Sequence, residues 1–159
     1  NVRPDILILG KALSGGAMPI SAVLADDEIM LCIKPGEHGS TFGGNPLACK
    51  VGKVALEVII EEKLADNAER LGKIFREELQ NLNHPFVKEV RGKGLLNAVV
   101  IQHENPEAAQ ELCMMLKEKG LLAKPTHGDK IRFAPPLVIS KKELKEALAI
   151  IKEALEEMV

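Results

Sequence analysis

Apolar positions along the chain switch between three patterns. Residues 6–9, Ile-Leu-Ile-Leu, form an apolar run without alternation, which predicts a strand covered on both faces, as in an α/β sheet. Residues 19–25 predict a second strand. Both read as central strands whose sheet partners lie outside the chain. A loop through Pro35-Gly36 runs to Gly44. Asn45-Pro46 then opens a helix over 46–63, because asparagine caps and proline suits the first helical position. Its apolar stripe is Leu47, Val51, Val54, Ala55, Val58 and Ile59. A second helix, 65–82, repeats Ala68, Leu71, Phe75, Leu79 and Leu82 at helical spacing, and Asn83-His84-Pro85 ends it. The pattern then turns to shorter units. These are a strand at 95–101, a helix at 106–119 closed by Gly120, and short strands at 121–124 and 130–134. A last helix opens on Ser140-Lys-Lys-Glu143, a capping box, and carries Leu144, Leu148, Ile151, Leu155 and Met158. This predicts part of a larger α/β domain over 1–83 and a small α+β domain over 84–159.

Composition narrows the function classes. The chain has 159 residues, 46% hydrophobic and 28% charged, with 3% aromatics and neither Trp nor Tyr, so its core is aliphatic. A net charge of −2 gives no electrostatic case for nucleic acid or an anionic membrane. No apolar run approaches the roughly 20 residues that span a bilayer. Cys32, Cys49 and Cys113 are widely spaced with no CxxC or paired-histidine pattern, so they read as structural thiols and no metal site is expected. The chain opens without Met on a pre-strand turn, Arg3-Pro4-Asp5, with no targeting segment ahead of it, and reads as a piece of something longer.

Three stretches can carry chemistry. Lys11 follows the first apolar strand, and partial desolvation there would favour its neutral amine, a nucleophile able to condense with an aldehyde. Gly10 removes a side chain beside it, so a flat ring could approach the backbone. A P-loop fails, because the upstream glycine is missing and Ala12 occupies the Ser/Thr place. The second stretch, GEHGSTFGGNPLA over 36–48, sets Ser40 and Thr41 among glycines ahead of a helix N-terminus. That suits a phosphate, and equally a flexible turn. His38 in it reads as a surface residue. In the third, DKIRFAPPLVI over 129–139, Ile131 and Phe133 point one way and Arg132 the other. Before Pro135-Pro136, Arg132 can offer a rigid fork to a carboxylate, or form a surface ion pair. Arg91-Gly-Lys-Gly94 reads as a turn feeding the strand at 95–101.

Together these stretches resemble the class III aminotransferases of fold type I, which use pyridoxal 5'-phosphate. Asp5-Ile6-Leu7, then Gly10-Lys11, then Gly15-Gly16 match the second half of that family's lysine signature. KPGEHGSTFGGNPLA is shared widely in the class, and GLLAKPTHGDKIRFAPPLVI is more particular to one branch of it. The resemblance implies the C-terminal part of a fold type I large domain followed by the small C-terminal domain. It implies that Lys11 holds the cofactor covalently and moves a proton to and from the substrate carbon. It implies that Thr41, with Ser40 beside it, reaches the cofactor phosphate of the neighbouring subunit, and that Arg132 grips a substrate carboxylate. Expected partners are a small amino acid, a 2-oxo acid and a second copy of the chain in a homodimer or higher oligomer, with no nucleic acid or membrane. The aspartate that pairs with the pyridine nitrogen lies upstream in that family, and Asp5, on the lysine's own strand, is not that residue. The resemblance suggests the mitochondrial matrix, with cytosolic members also known. The competing reading is a non-catalytic interaction module.

Overall fold

The computed structural model describes residues 2–158. It is a mixed α/β structure in two compact units, the first ending at Lys63 and the second beginning at Leu64. The division expected at 83–84 therefore falls one helix earlier. The helix over Leu64–Asn81 (α3) belongs to the second unit, because its apolar face is part of that unit's core.

In the first unit, Ile6–Leu9 (β1) pairs antiparallel with Ala22–Ala25 (β2), from Ile6 opposite Ala25 to Leu9 opposite Ala22. A 3-10 turn over Lys11–Ser14 leaves β1, a short helix Asp27–Met30 (α1) follows β2, and Pro46–Glu61 forms α2. The expected burial of these elements does not occur within the chain. Ile6, Leu7 and Ile8 are exposed, Ile8 at 74%. Leu47, Val54 and Val58 of α2 are exposed too, and only Ala48 and Gly52 of that helix are buried. The reason is geometric: a two-stranded ribbon has no layers of its own to cover both faces. Where α2 does pack, it uses small residues. A Cβ at Gly52 would stand 3.1 Å from Cδ1 of Ile20.

The second unit has a hydrophobic core of its own. Val87–Lys93 (β3), Leu96–Ile101 (β4), Lys124–Thr126 (β5) and Lys130–Phe133 (β6) form an antiparallel sheet ordered β3-β4-β6-β5. Helices α3, Ala108–Glu118 (α4) and Lys141–Glu156 (α5) supply the rest of its core. Leu71, Phe75, Leu79, Leu112, Leu116, Leu144, Ile151 and Leu155 meet Val90, Val99, Ile101, Ile131 and Phe133 of the sheet. The rings of Phe75 and Phe133 lie 5.5 Å apart. The capping box forms as expected: Glu143 N–H donates to Ser140 Oγ at 3.2 Å, and Ser140 N–H to Glu143 Oε2 at 2.8 Å.

Two expectations need correction here. The stretch 91–94 is mostly strand, with only Gly94, at φ +52°, turning the hairpin between β3 and β4. A bulge between Val87 and Glu89 breaks the two-residue period, so the two apolar positions of β3 stand three apart and do not read as a strand. The strand expected at 121–124 starts only at Lys124. Residues just before it finish α4: Leu121 N–H donates to Leu116 C=O at 2.8 Å around Gly120 at φ +90°.

Candidate active site

Lys11 stands where β1 ends. Its backbone is left-handed, φ +55°, a conformation uncommon for a side-chain-bearing residue and costly for it. Local bonds hold it there. Leu13 N–H donates to Gly10 C=O at 3.2 Å and Gly15 N–H to Ala12 C=O at 2.9 Å. Buried Ser14 accepts from Met18 N–H at 3.1 Å. Gly15 and Gly16, at φ +65° and +86°, let the chain reverse immediately afterwards. Within this chain Lys11 is exposed, as Ile6, Leu7 and Ile8 of the strand before it are.

Lys11 and Ser40 line one hollow of about 700 Å³ in the first unit, with Ser21, Phe42, Gly16, Gly43, Gly44, Asn45 and Cys49 among its other walls. Ser40 turns back over Gly43, where a Cβ would come within 2.6 Å of its Oγ, and Gly43 N–H donates to Ser40 C=O at 3.3 Å. Asn45 caps α2 by accepting from Ala48 N–H at 3.0 Å. Thr41 is exposed beside Ser40 but does not line the hollow, and exposed His38 does not line it either. The donors fit parts of pyridoxal phosphate taken separately: the Lys11 amine suits an aldehyde carbon, and the 40–44 loop, with hydroxyls beside glycine backbone, suits a phosphate, including that of a cofactor on another subunit. Among the described residues no carboxylate lines the hollow, so none of them there repels a dianion or pairs with a pyridine nitrogen.

Arg132 lies in the second unit. Ile131 and Phe133 are buried at 0% and 6% exposure, and Arg132 between them is exposed on the opposite sheet face. Its flanking neighbour on β4 is Ala98, a small residue that leaves the guanidinium room. No acidic side chain among the described residues pairs with it. A guanidinium so placed can grip a carboxylate with two parallel bonds.

Sequence reasoning passed over Phe42 and Ser21 in the wall of the lysine's hollow, and Lys124 beside Arg132; Cys49, expected as a structural thiol, is exposed in that wall, as Cys32 is exposed elsewhere. Phe42 had a signal in the sequence, as one of few aromatics and next to Ser40 and Thr41, and the structure leaves it 83% exposed. Lys124 had none without strand register.

A lysine at a strand end and a glycine-bounded hydroxyl loop stand in the first unit, and an arginine on a sheet face in the second. The family described as "Aminotransferase class-III" matches residues 1–155, and the chain belongs to that pyridoxal-phosphate-dependent family. The chain is 62% identical to the mitochondrial ornithine aminotransferase of Drosophila melanogaster over 97% of its own length and 35% of that protein's. The corresponding rat enzyme is 59% identical over 98% of this chain and 35% of that protein. Among solved structures, an acetylornithine aminotransferase from Elizabethkingia anophelis superposes with a TM-score of 0.94 at 56% identity. It covers 99% of this chain and 42% of that one. The ornithine aminotransferase of Toxoplasma gondii ME49 gives 0.91 at 51% identity, with 98% and 37% covered. The chain thus spans about a third of the length of the curated relatives it matches.

No helix among the described residues is long and apolar enough to cross a membrane.

Proposed function

We propose that this chain is the C-terminal part of an ornithine δ-aminotransferase. The reaction moves the δ-amino group of L-ornithine to 2-oxoglutarate and yields glutamate 5-semialdehyde and L-glutamate. The observation that carries the reading is Lys11 in its strained turn at the mouth of a glycine-walled hollow shared with Ser40. The substrate comes from the relatives, which are named ornithine aminotransferase at 62%, 59% and 54% identity.

In this reading the amine of Lys11 holds the cofactor and afterwards takes and returns the proton at the substrate carbon that carries the amino group. Pyridoxal phosphate supplies the electron sink for breaking that C–H bond. Thr41 and Ser40 donate to the phosphate of the cofactor on a second subunit, so the working form is a homodimer or a larger assembly of dimers. Exposed Thr41, outside its own chain's hollow, is in keeping with that role. Arg132 holds the carboxylate of ornithine in one half-reaction and of 2-oxoglutarate in the other. The compartment inferred is the mitochondrial matrix, from relatives so named in flies, rat and rice.

A second reading, an acetylornithine aminotransferase, is favoured by the 0.94 TM-score to the Elizabethkingia anophelis structure. One experiment separates them. A full-length enzyme carrying these residues is assayed with ornithine and with N-acetylornithine, and the cofactor is fixed to the chain by borohydride. Ornithine is expected to be the better donor, and Lys11→Ala to abolish both turnover and fixation. Preference for N-acetylornithine would transfer the assignment to the second reading, and fixation surviving in Lys11→Ala would remove Lys11 from its role.

A further inference from the structure

Arg132 does not stand alone on its face. In the β5–β6 ladder Lys124 is paired directly with it. Directly opposed residues of an antiparallel pair project to the same side, with Cβ atoms about 5 Å apart. Both are exposed, while Ile131 and Phe133 face the core. Ala98 and then Arg91 continue the same row across β4 and β3. Three other cations of this sheet are paired, Arg91 with Glu89 at 3.4 Å, Lys93 with Glu69 at 2.9 Å, and Lys130 with Asp129, while Lys88, at the β3 bulge, has no ion pair among the described residues and is not opposed to Arg132 in the ladder. Lys124 and Arg132 have no acidic partner among the described residues. Like charges set directly opposite each other disfavour the pairing. A local choice that works against the strand it sits in is what a functional site leaves behind.

We propose that Lys124 is a second cation of the carboxylate site, acting with Arg132 to favour a dianionic 2-oxo acid over a diamino acid. This rests on the assignment of Arg132 to substrate carboxylates. The arginine fork occupies one edge of a carboxylate, and the remaining lone pairs accept from an ammonium on a flexible stem. The discrimination follows from charge. A five-carbon 2-oxo dicarboxylate carries two negative charges, whereas ornithine carries one carboxylate and two ammonium groups. A second cation attracts the first and offsets part of the attraction for the second.

The test uses a full-length enzyme carrying these residues, with Lys124→Gln, Lys124→Arg and Arg132→Gln measured in both half-reactions. Binding of glutarate, a dicarboxylate that cannot react, is measured by calorimetry on each. Lys124→Gln is expected to raise KM for 2-oxoglutarate about five- to tenfold, a factor in keeping with one partly exposed charge-assisted bond. Glutarate affinity should fall by the same factor, and the ornithine KM should change less than twofold. The salt dependence of kcat/KM for 2-oxoglutarate should flatten, and Lys124→Arg should restore wild-type behaviour. Thermal stability should hold or rise, because a like-charge pair has been relieved; a purely structural lysine would give the reverse. If Arg132→Gln weakens both substrates while Lys124→Gln weakens neither, or weakens both equally, the proposal is wrong and the aminotransferase reading stands. If Arg132→Gln itself changes nothing, the carboxylate assignment and this proposal fall together.

Discussion

Gly72 lies in the middle of α3, where alanine would ordinarily stabilise a helix by about 0.5–1 kcal/mol. Here the sign should reverse. A Cβ at this position would stand 1.7 Å from the carbonyl oxygen of Gly94 and 2.3 Å from its carbon, both backbone atoms. Relief requires the hairpin turn to withdraw by more than an ångström. That carbonyl accepts from Arg76 Nη1 at 2.9 Å and from Asn97 Nδ2 at 3.2 Å. Asn97 is 2% exposed, and its Oδ1 accepts from Arg76 Nη1 at 2.8 Å. Overpacking costs about 1–3 kcal/mol. Leaving a buried amide short of a partner costs roughly another 1–3 kcal/mol. The net expectation for Gly72→Ala is a loss of about 3 kcal/mol or more, which for a unit of this size lowers Tm by at least about 12 °C. Thermal unfolding followed by circular dichroism measures it, and hydrogen exchange of the β4 amides assigns the transition to the second unit. An unchanged or raised Tm would refute the close-approach argument. The consequence reaches the candidate site, because β4, which starts just past that turn, carries β6 with Ala98 opposite Arg132.

Arg132→Lys in a full-length enzyme should lower kcat/KM at least about tenfold for both substrates, since an ammonium cannot reproduce the two-bonded geometry, while borohydride fixation of the cofactor persists; unchanged kinetics in both half-reactions would remove Arg132 from the site. In the native chain a thiol reagent should titrate exposed Cys32 and Cys49 quickly and buried Cys113 slowly, because burial pushes the Cys113 thiol up to about 11. The raised value also sets a sign: in the unfolded chain that thiol ionises from about pH 9, so its contribution to stability is complete below that and is lost as pH rises toward 11, which urea unfolding across pH 8–11 detects against Cys113→Ala.

The second unit was largely legible because its helices obey the simplest rule in the sequence. Ala68, Leu71, Phe75 and Leu79 were read as one stripe and are all buried in one core, as are Leu144, Ile151 and Leu155. The hairpin partner β3 was not legible, because a bulge and two glycines hide its period. The first unit misled for a different reason. An unbroken run such as Ile6–Leu9 states that a strand must be covered, and the cover need not come from the same stretch of chain. Pattern gives a requirement and register gives an address. That is why Arg132 could be oriented from Ile131 and Phe133 alone, whereas Lys124, eight positions earlier, could be set beside it only by the ladder.

The two candidate anchors are held by opposite means. Arg132 owes its position to burial: its neighbours on β6, Ile131 and Phe133, are locked in the core of the second unit. Lys11 owes its position to the backbone. Among the described residues β1 is uncovered, and the left-handed turn is maintained by the Gly10–Leu13 and Ala12–Gly15 bonds, the Ser14 hydroxyl and two glycines at positive φ. Such a turn costs about 1–2 kcal/mol at a lysine and persists only where its surroundings over-determine it. In the proposed reaction Lys11 changes partners, cofactor first and proton next, and such a group gains from a fixed root and a free tip. A group that only grips a carboxylate gains from rigidity throughout. Substitutions on the exposed faces of β1 and α2 should act on whatever covers those faces before they act on the lysine's own turn.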